Sequence, residues 1–112
     1  MRVYILGPMR GIPLYNFPAF DGAADQLRLL GHVPVSPIDL DRAAGFNPYA
    51  LPVNWDWKSI PPPLTLKGIV EQDLAALLSC QGYLRLPNWE ASTGARAEYG
   101  VAVWLGLKEV QL

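Results

Sequence analysis

Apolar positions along this chain change period several times, and each change marks an element. Val3-Tyr4-Ile5-Leu6 is an unbroken apolar run closed by Gly7-Pro8, the pattern of a strand covered on both faces. A loop interrupted by Gly7, Pro8, Gly11 and Pro13 follows. Spacing then turns helical, with Phe17, Phe20, Ala24, Leu27 and Leu30 on one side, Asn16 as the expected cap, Pro18 tolerated in the first turn and Gly31 as the stop. Val33-Pro34-Val35 reads as a second strand, at a sheet edge because its proline cannot donate to a ladder. From Ser36 to about Leu64 the prolines at 37, 48, 52 and 61–63 interrupt every period, and a long loop is expected. Leu66 to Cys80 is helical again, with Asp73 among Ile69, Val70, Leu74, Leu77 and Leu78. Gly82–Leu86 reads as a third strand, Pro87–Ala91 as its loop, Ser92 to about Leu105 as a helix and Lys108–Leu112 as a last strand.

This order predicts an α/β protein, a small flavodoxin/Rossmann-like three-layer fold with a mostly parallel sheet of four to five strands, in one domain over residues 1–112. Right-handed crossovers put helices on both faces, and ligands of such folds sit beyond the C-terminal strand ends, beside a topological switch point. Three loops should converge there: Gly7 to Tyr15, the long loop after the second strand, and Pro87 to Ala91.

Composition narrows the chemistry. The 51% hydrophobic content suffices for an ordinary core, and a net charge of −1 argues against affinity built on many phosphate contacts, so no nucleic-acid polymer is expected as partner. A small anion remains compatible. No apolar run reaches the length of a membrane span, and Met1-Arg2 leads directly into a core strand, so neither a membrane partner nor a signal peptide is expected and the location is read as cytoplasmic. Cys80 and His32 are the only residues of their kinds, which leaves no internal disulfide and no usual zinc cluster. No metal or cofactor is therefore expected. A Ser-His or Cys-His pair would need His32, whose place before Val33 reads as structural. Neither a P-loop nor a G-x-G-x-x-G occurs.

Two carboxylates stand out. In Ser92-Thr93-Gly94-Ala95-Arg96-Ala97-Glu98-Tyr99-Gly100, Ser92 is an N-cap signal, and the first amides of the helix suit an anion such as phosphate. Helical spacing aligns Ala95, Glu98, Ala102 and Leu105 on one inward stripe. An acid there either answers the helix dipole, pairs with Arg96 or Arg2, or does chemistry. Asp73 is the second acid, and Met9 and Arg10 sit where a strand-to-helix loop faces a ligand. Tyr49, Trp55 and Trp57 in the long loop either close over a flat ring or pin the loop to the body, and pinning is preferred.

Tyr4-Ile5-Leu6-Gly7-Pro8-Met9-Arg10-Gly11, then Asn16-Phe17-Pro18-Ala19-Phe20, Asp73-Leu74, and Trp89-Glu90-Ala91-Ser92-Thr93-Gly94-Ala95 with Glu98, together resemble the nucleoside 2-deoxyribosyltransferase-like superfamily. The likeness spans nearly the whole chain. It looks closest to a short branch of phage and bacterial proteins and is more distantly similar to the 2'-deoxynucleoside 5'-phosphate N-hydrolases. The resemblance implies cleavage or transfer at the N-glycosidic bond of a deoxynucleotide or deoxynucleoside. Glu98 would be the nucleophile, Asp73 would assist at the leaving base or bind the sugar, and Tyr4 would position Glu98. Ser92, Gly94 and the loop Gly7, Pro8, Met9, Arg10, Gly11 would hold the 5'-phosphate. Trp55, Trp57 and Trp89 enter as stacking residues by their chemistry alone.

The sequence departs from that pattern at Gln81, where many relatives carry an aspartate, and it stops at its fourth strand, where transferases continue into a segment that can reach a neighbouring subunit. A homodimer or higher homo-oligomer is therefore expected. Two other readings share the fold: a nucleotide-binding or sensing module without turnover, and an NAD-type glycohydrolase using the same carboxylate.

Overall fold

Alternation along the first strand decides the layering. In the computed structural model, which describes residues 1–112, β1 (Arg2–Leu6) sends Val3 and Ile5 to one face and Tyr4 and Leu6 to the other, all four fully buried. The chain continues through α1 (Phe17–Leu29), β2 (Val33–Val35), α2 (Pro37–Ala43), α3 (Leu66–Leu78), β3 (Gly82–Arg85), α4 (Thr93–Trp104) and β4 (Lys108–Glu109). Single 3₁₀ turns lie at Pro13–Asn16, Pro48–Ala50 and Trp89–Ala91. The four strands form one sheet in the order β2-β1-β3-β4, with every pairing parallel. Tyr4 stands opposite Val35 and Tyr83, and Leu6 opposite Arg85. The expected edge position of Val33-Pro34-Val35 is met.

Each face carries its own core. Val3, Ile5 and Leu84 pack with Phe17, Phe20, Ala24 and Leu27 of α1 and Ile38 of α2. Tyr4, Leu6 and Tyr83 pack with Leu77 of α3 and Ala95 and Ala102 of α4. The architecture is the small three-layer α/β fold expected from the order of elements. No helix is long and apolar enough to cross a membrane.

Three local expectations are corrected. The stretch after Ser36 is not loop throughout: Ser36 accepts from the Ile38 amide, Pro37 occupies the first turn where a missing N–H costs nothing, Asp39 and Arg42 complement the helix dipole, and α2 forms. Asn16 does not cap α1 with its side chain. It adopts a left-handed conformation (φ +63°) and its Nδ2 donates to the Pro8 carbonyl at 2.9 Å, tying the loop after β1 to the helix start. Leu105, placed on the inward stripe of the last helix, lies beyond the end of α4 and is 48% exposed.

The first loop begins with a close approach. A Cβ on Gly7 would lie 2.7 Å from Leu86 Cβ and 2.8 Å from its Cδ1. Gly7→Ala must therefore push β1 and the end of β3 apart, at a cost of about 1–3 kcal/mol. The melting temperature is expected to fall by ~4–8 °C per kcal/mol. Thermal unfolding followed by circular dichroism checks this, and an unchanged midpoint would show that the strand ends are not closely packed.

Candidate functional site

The loops at the C-terminal strand ends enclose a cavity of about 460 Å³, within the ~300–1,000 Å³ usual for small-molecule sites. It lies where the connections from β1 and β3 diverge to opposite faces. One wall is the loop Gly7–Ile12, a second is the start of α4 from Ser92 to Gly94 with Ala97 and Glu98, and a third is α3 through Ile69, Val70, Asp73 and Leu74. Tyr15, Phe46, Pro61 and Leu64 close the remainder with apolar surface.

Glu98 comes from the second turn of α4. Ser92 caps that helix, its Oγ accepting from the Ala95 amide at 3.1 Å, so the inward stripe begins where the sequence put it: Ala95 and Ala102 are buried and Glu98 stands between them. The Tyr4 hydroxyl, rising from the buried face of β1, donates to Glu98 Oε2. The two other partners considered for Glu98 are engaged elsewhere, Arg96 with the Glu90 carbonyl at 2.8 Å and Arg2 with the Ser79 carbonyl and hydroxyl. Glu98 thus has a phenol, not a cation, as its partner. Burial raises its pKa to about 7, with the Tyr4 hydrogen bond working against the rise. Tyr4 is held well above its usual range, by burial first and then by the Glu98 charge.

Asp73 faces the same cavity from α3. It is 9% exposed, and its Oδ1 is the one buried side-chain polar atom without a hydrogen-bond partner. Burial, then the charges of Glu98 and Asp41, raise its pKa to about 8, while the nearby Gln72 amide opposes them. Both acids are raised by burial, and the neighbouring charges raise Asp73 further, so Asp73 is the more inclined of the two to keep its proton.

The residues expected to hold an anion also converge. Arg10 is the only basic residue lining the cavity and makes no hydrogen bond or ion pair within the chain. The amides of Met9, Arg10, Thr93 and Gly94 have no backbone acceptor. Gly7, Pro8, Gly11, Ser92 and Gly94 line the same space, with Gly11 in a left-handed conformation (φ +85°) that its lack of a side chain permits. This arrangement suits a small oxyanion.

The tryptophans are elsewhere. Trp55 donates from Nε1 to the Tyr15 hydroxyl at 2.8 Å, and Trp57 meets the Tyr15 ring edge-on at 5.0 Å, so both pin the long loop to the core and neither lines the cavity. Trp89 stacks on Tyr99 at 4.7 Å with the Arg85 guanidinium over both rings, in a separate cleft beside β4. The apolar lining of the cavity comes instead from residues that include Phe46, Leu64, Ile69 and Tyr15. Tyr15 belongs to a run, Leu14 to Asn16, in which all three residues have positive φ. That conformation costs roughly 1–2 kcal/mol per residue. The Tyr15 hydroxyl donates to the Ser59 carbonyl at 2.5 Å, which with Trp55 holds the run in place.

Sequence reasoning missed Asp41. It is 3% exposed on α2 and lines the cavity, accepting at Oδ1 from Gln72 Nε2 at 3.3 Å, and burial raises its pKa to about 6. The signal was present. Once Ser36-Pro37 is read as a helix start, Asp41 falls on the buried side with Ile38, the same argument that singled out Glu98.

A carboxyl whose pKa is raised on folding makes the folded state bind more protons than the unfolded one, so its contribution is fully present below the unfolded value and is lost as pH rises through the folded one. For Asp73 that window runs from about 3.8 to about 8. Asp41 and Glu98 act with the same sign up to about 6 and about 7. Asp73→Asn removes the upper part of the window, and the variant is expected to exceed the unsubstituted protein by ~1–3 kcal/mol at pH 8 and to match it near pH 4. Urea unfolding across that range measures the difference, and equal slopes in the two proteins would show that Asp73 is not desolvated.

No curated protein and no solved structure matches the chain. A family model described as a domain of unknown function, DUF4406, matches residues 1–111. With nearly every residue from β1 to the last strand inside that match, the chain belongs to the DUF4406 family.

Proposed function

We propose that the protein cleaves, or transfers across, the N-glycosidic bond of 2'-deoxynucleotides, with Glu98 as nucleophile and Asp73 as acid. The observation that carries this reading is the pairing of two desolvated carboxyls of different environment in one cavity, one held by a tyrosine and the other with a bare oxygen. The deoxyribosyltransferase-like resemblance of the motifs around Tyr4, Asp73 and Glu98 supports it.

The steps follow from the residues. An ionised Glu98 oxygen forms a bond to the anomeric carbon as the C1'–N bond breaks, and the bond's electron pair leaves with the base. Asp73, protonated near neutrality, gives its proton to the departing base nitrogen. Tyr4 fixes Glu98 and shares its charge, which keeps the carboxylate ionised in a buried setting. Water then adds to the anomeric carbon, Glu98 departs as carboxylate, and the water's proton returns to Asp73. A second base in place of water gives transfer. The 5'-phosphate lies against Arg10 and the amides of Met9, Thr93 and Gly94, which fixes the sugar relative to Glu98.

Gln81 is one of two features, with the short C-terminal segment, that favour the binding-module reading, and it lies away from the cavity. It precedes β3, at the sheet end opposite the cavity, where its Oε1 accepts from the Arg2 amide at 3.0 Å. An NAD-type substrate would need a pocket open to a much larger ligand than a mononucleotide.

Chromatography of reactions with deoxynucleosides and their 5'-monophosphates is expected to show base release from monophosphates. Glu98→Gln should lower the rate by ~10³-fold or more. Activity should rise as Glu98 ionises near pH 7 and fall as Asp73 deprotonates near pH 8, and Asp73→Asn should abolish the alkaline limb along with most of the rate. Turnover that survives Glu98→Gln would refute the nucleophile assignment, and absence of release from every compound, with and without an acceptor base, would favour the binding module.

A further inference from the structure

Asp41 has no role in the steps above, yet it is the least exposed carboxylate of the cavity. Its Oδ1 receives one hydrogen bond, from Gln72. Its Oδ2 receives none from the chain and, unlike Asp73 Oδ1, is not fully enclosed, and the residue lines the cavity. No cation of the chain pairs with it. A nearly buried carboxylate with an unused acceptor beside a cavity offers that oxygen to a hydrogen-bond donor entering the cavity.

The order of the acids indicates what that something is. α3 packs against both α2 and α4, and Gln72 of α3, next to Asp73 in the chain, hydrogen-bonds Asp41, so Asp73 stands between Asp41 on α2 and Glu98 on α4. With Glu98 at the anomeric carbon and Asp73 at the glycosidic nitrogen, the next position along the substrate is the far edge of the base. Phe46 and Ile69 provide the apolar walls for a flat ring there.

We infer that Asp41 reads the base, its free Oδ2 accepting a hydrogen bond from an exocyclic amino group, so that amino-bearing bases are taken in preference to their oxo counterparts. This rests on the reading of the cavity as a nucleotide site. An ionised carboxylate only accepts, so an amino group opposite it is bound and a carbonyl oxygen there sets acceptor against acceptor in a dry pocket. Gln72 holds the carboxylate by its other oxygen and fixes which way Oδ2 points.

The test is calorimetric binding at pH 7.5 to the Glu98→Gln protein, which retains the cavity without turnover, using two matched pairs: dCMP against dUMP, and dAMP against dIMP, with deoxyribose 5-phosphate as the probe of the phosphate end. The amino member of at least one pair is expected to bind about tenfold or more tightly than its oxo partner. Adding Asp41→Asn, whose amide can turn to meet either group, should bring the pair to within about threefold and leave deoxyribose 5-phosphate binding unchanged. Equal affinity within both pairs, or a preference that survives Asp41→Asn, overturns the inference and leaves the nucleotide site standing. Failure of all five compounds to bind overturns the nucleotide site and the inference with it. Should Asp41→Asn fail to fold by circular dichroism, the comparison within pairs on the Glu98→Gln protein still decides.

Discussion

The hydrogen bond from Tyr4 to Glu98 joins the central strand to the last helix, and most of the site depends on it. Strand alternation puts Tyr4 on the face that α3 and α4 cover, where a phenol with no partner would be a desolvated donor inside an apolar core. Glu98 answers it. The small residues Ala95 and Ala102 on either side let α4 lie close enough for the two side chains to meet. Fixing α4 in this way also fixes its N-terminus, so Ser92, Thr93 and Gly94 come to rest beside the loop that leaves β1 at Gly7. The same contact that completes the core therefore assembles the cavity.

Burial then makes the chemistry out of ordinary acids. Asp41, Asp73 and Glu98 are not clustered closely enough to form a metal site, and none has a cation beside it. Desolvation is the leading cause of the raised pKa of each. What separates them is the partner each is given. Glu98 has a phenol that favours its anion, Asp41 has an amide, and Asp73, facing the charges of both others, is the one most inclined to keep its proton. An acid and a base at neutral pH require no more than this difference.

How much of this was legible follows from which signals are local. The first three strands, the helices from Phe17 and Leu66, the Ser92 cap and the inward place of Glu98 all rest on spacing within a dozen residues and are found where that spacing puts them, while the last strand, expected over Lys108–Leu112, is confined to Lys108–Glu109. The pinning of the long loop by Trp55 and Trp57 also stands as read. The stretch from Ser36 to Leu64 was misread because Pro37 was taken as a breaker when it was a helix start, and Asp41 was lost with α2. Asn16 misled in the opposite way. Its residue type suits a cap, but three positive φ angles turn its side chain back to Pro8, and no local pattern announces such a run. Which side of α4 Trp89 would occupy is a tertiary fact, set by Arg85 and Tyr99 from other elements.

The charge inside the cavity is unevenly distributed, and that asymmetry carries its own consequence. Arg10 and the free amides of the two loops stand at the β1 and α4 end, while Asp73 and Asp41 stand toward α3 and α2. A ligand with an anionic group at one end and hydrogen-bond donors at the other is aligned by this field before any close contact forms, and the reversed orientation is opposed at both ends. Within the nucleotide reading, the phosphate belongs with Arg10 and the base with the aspartates, and the sugar is left beside Glu98 by elimination. Within the same reading, the Asp41 charge opposes departure of the base as an anion, so proton transfer from Asp73 accompanies cleavage.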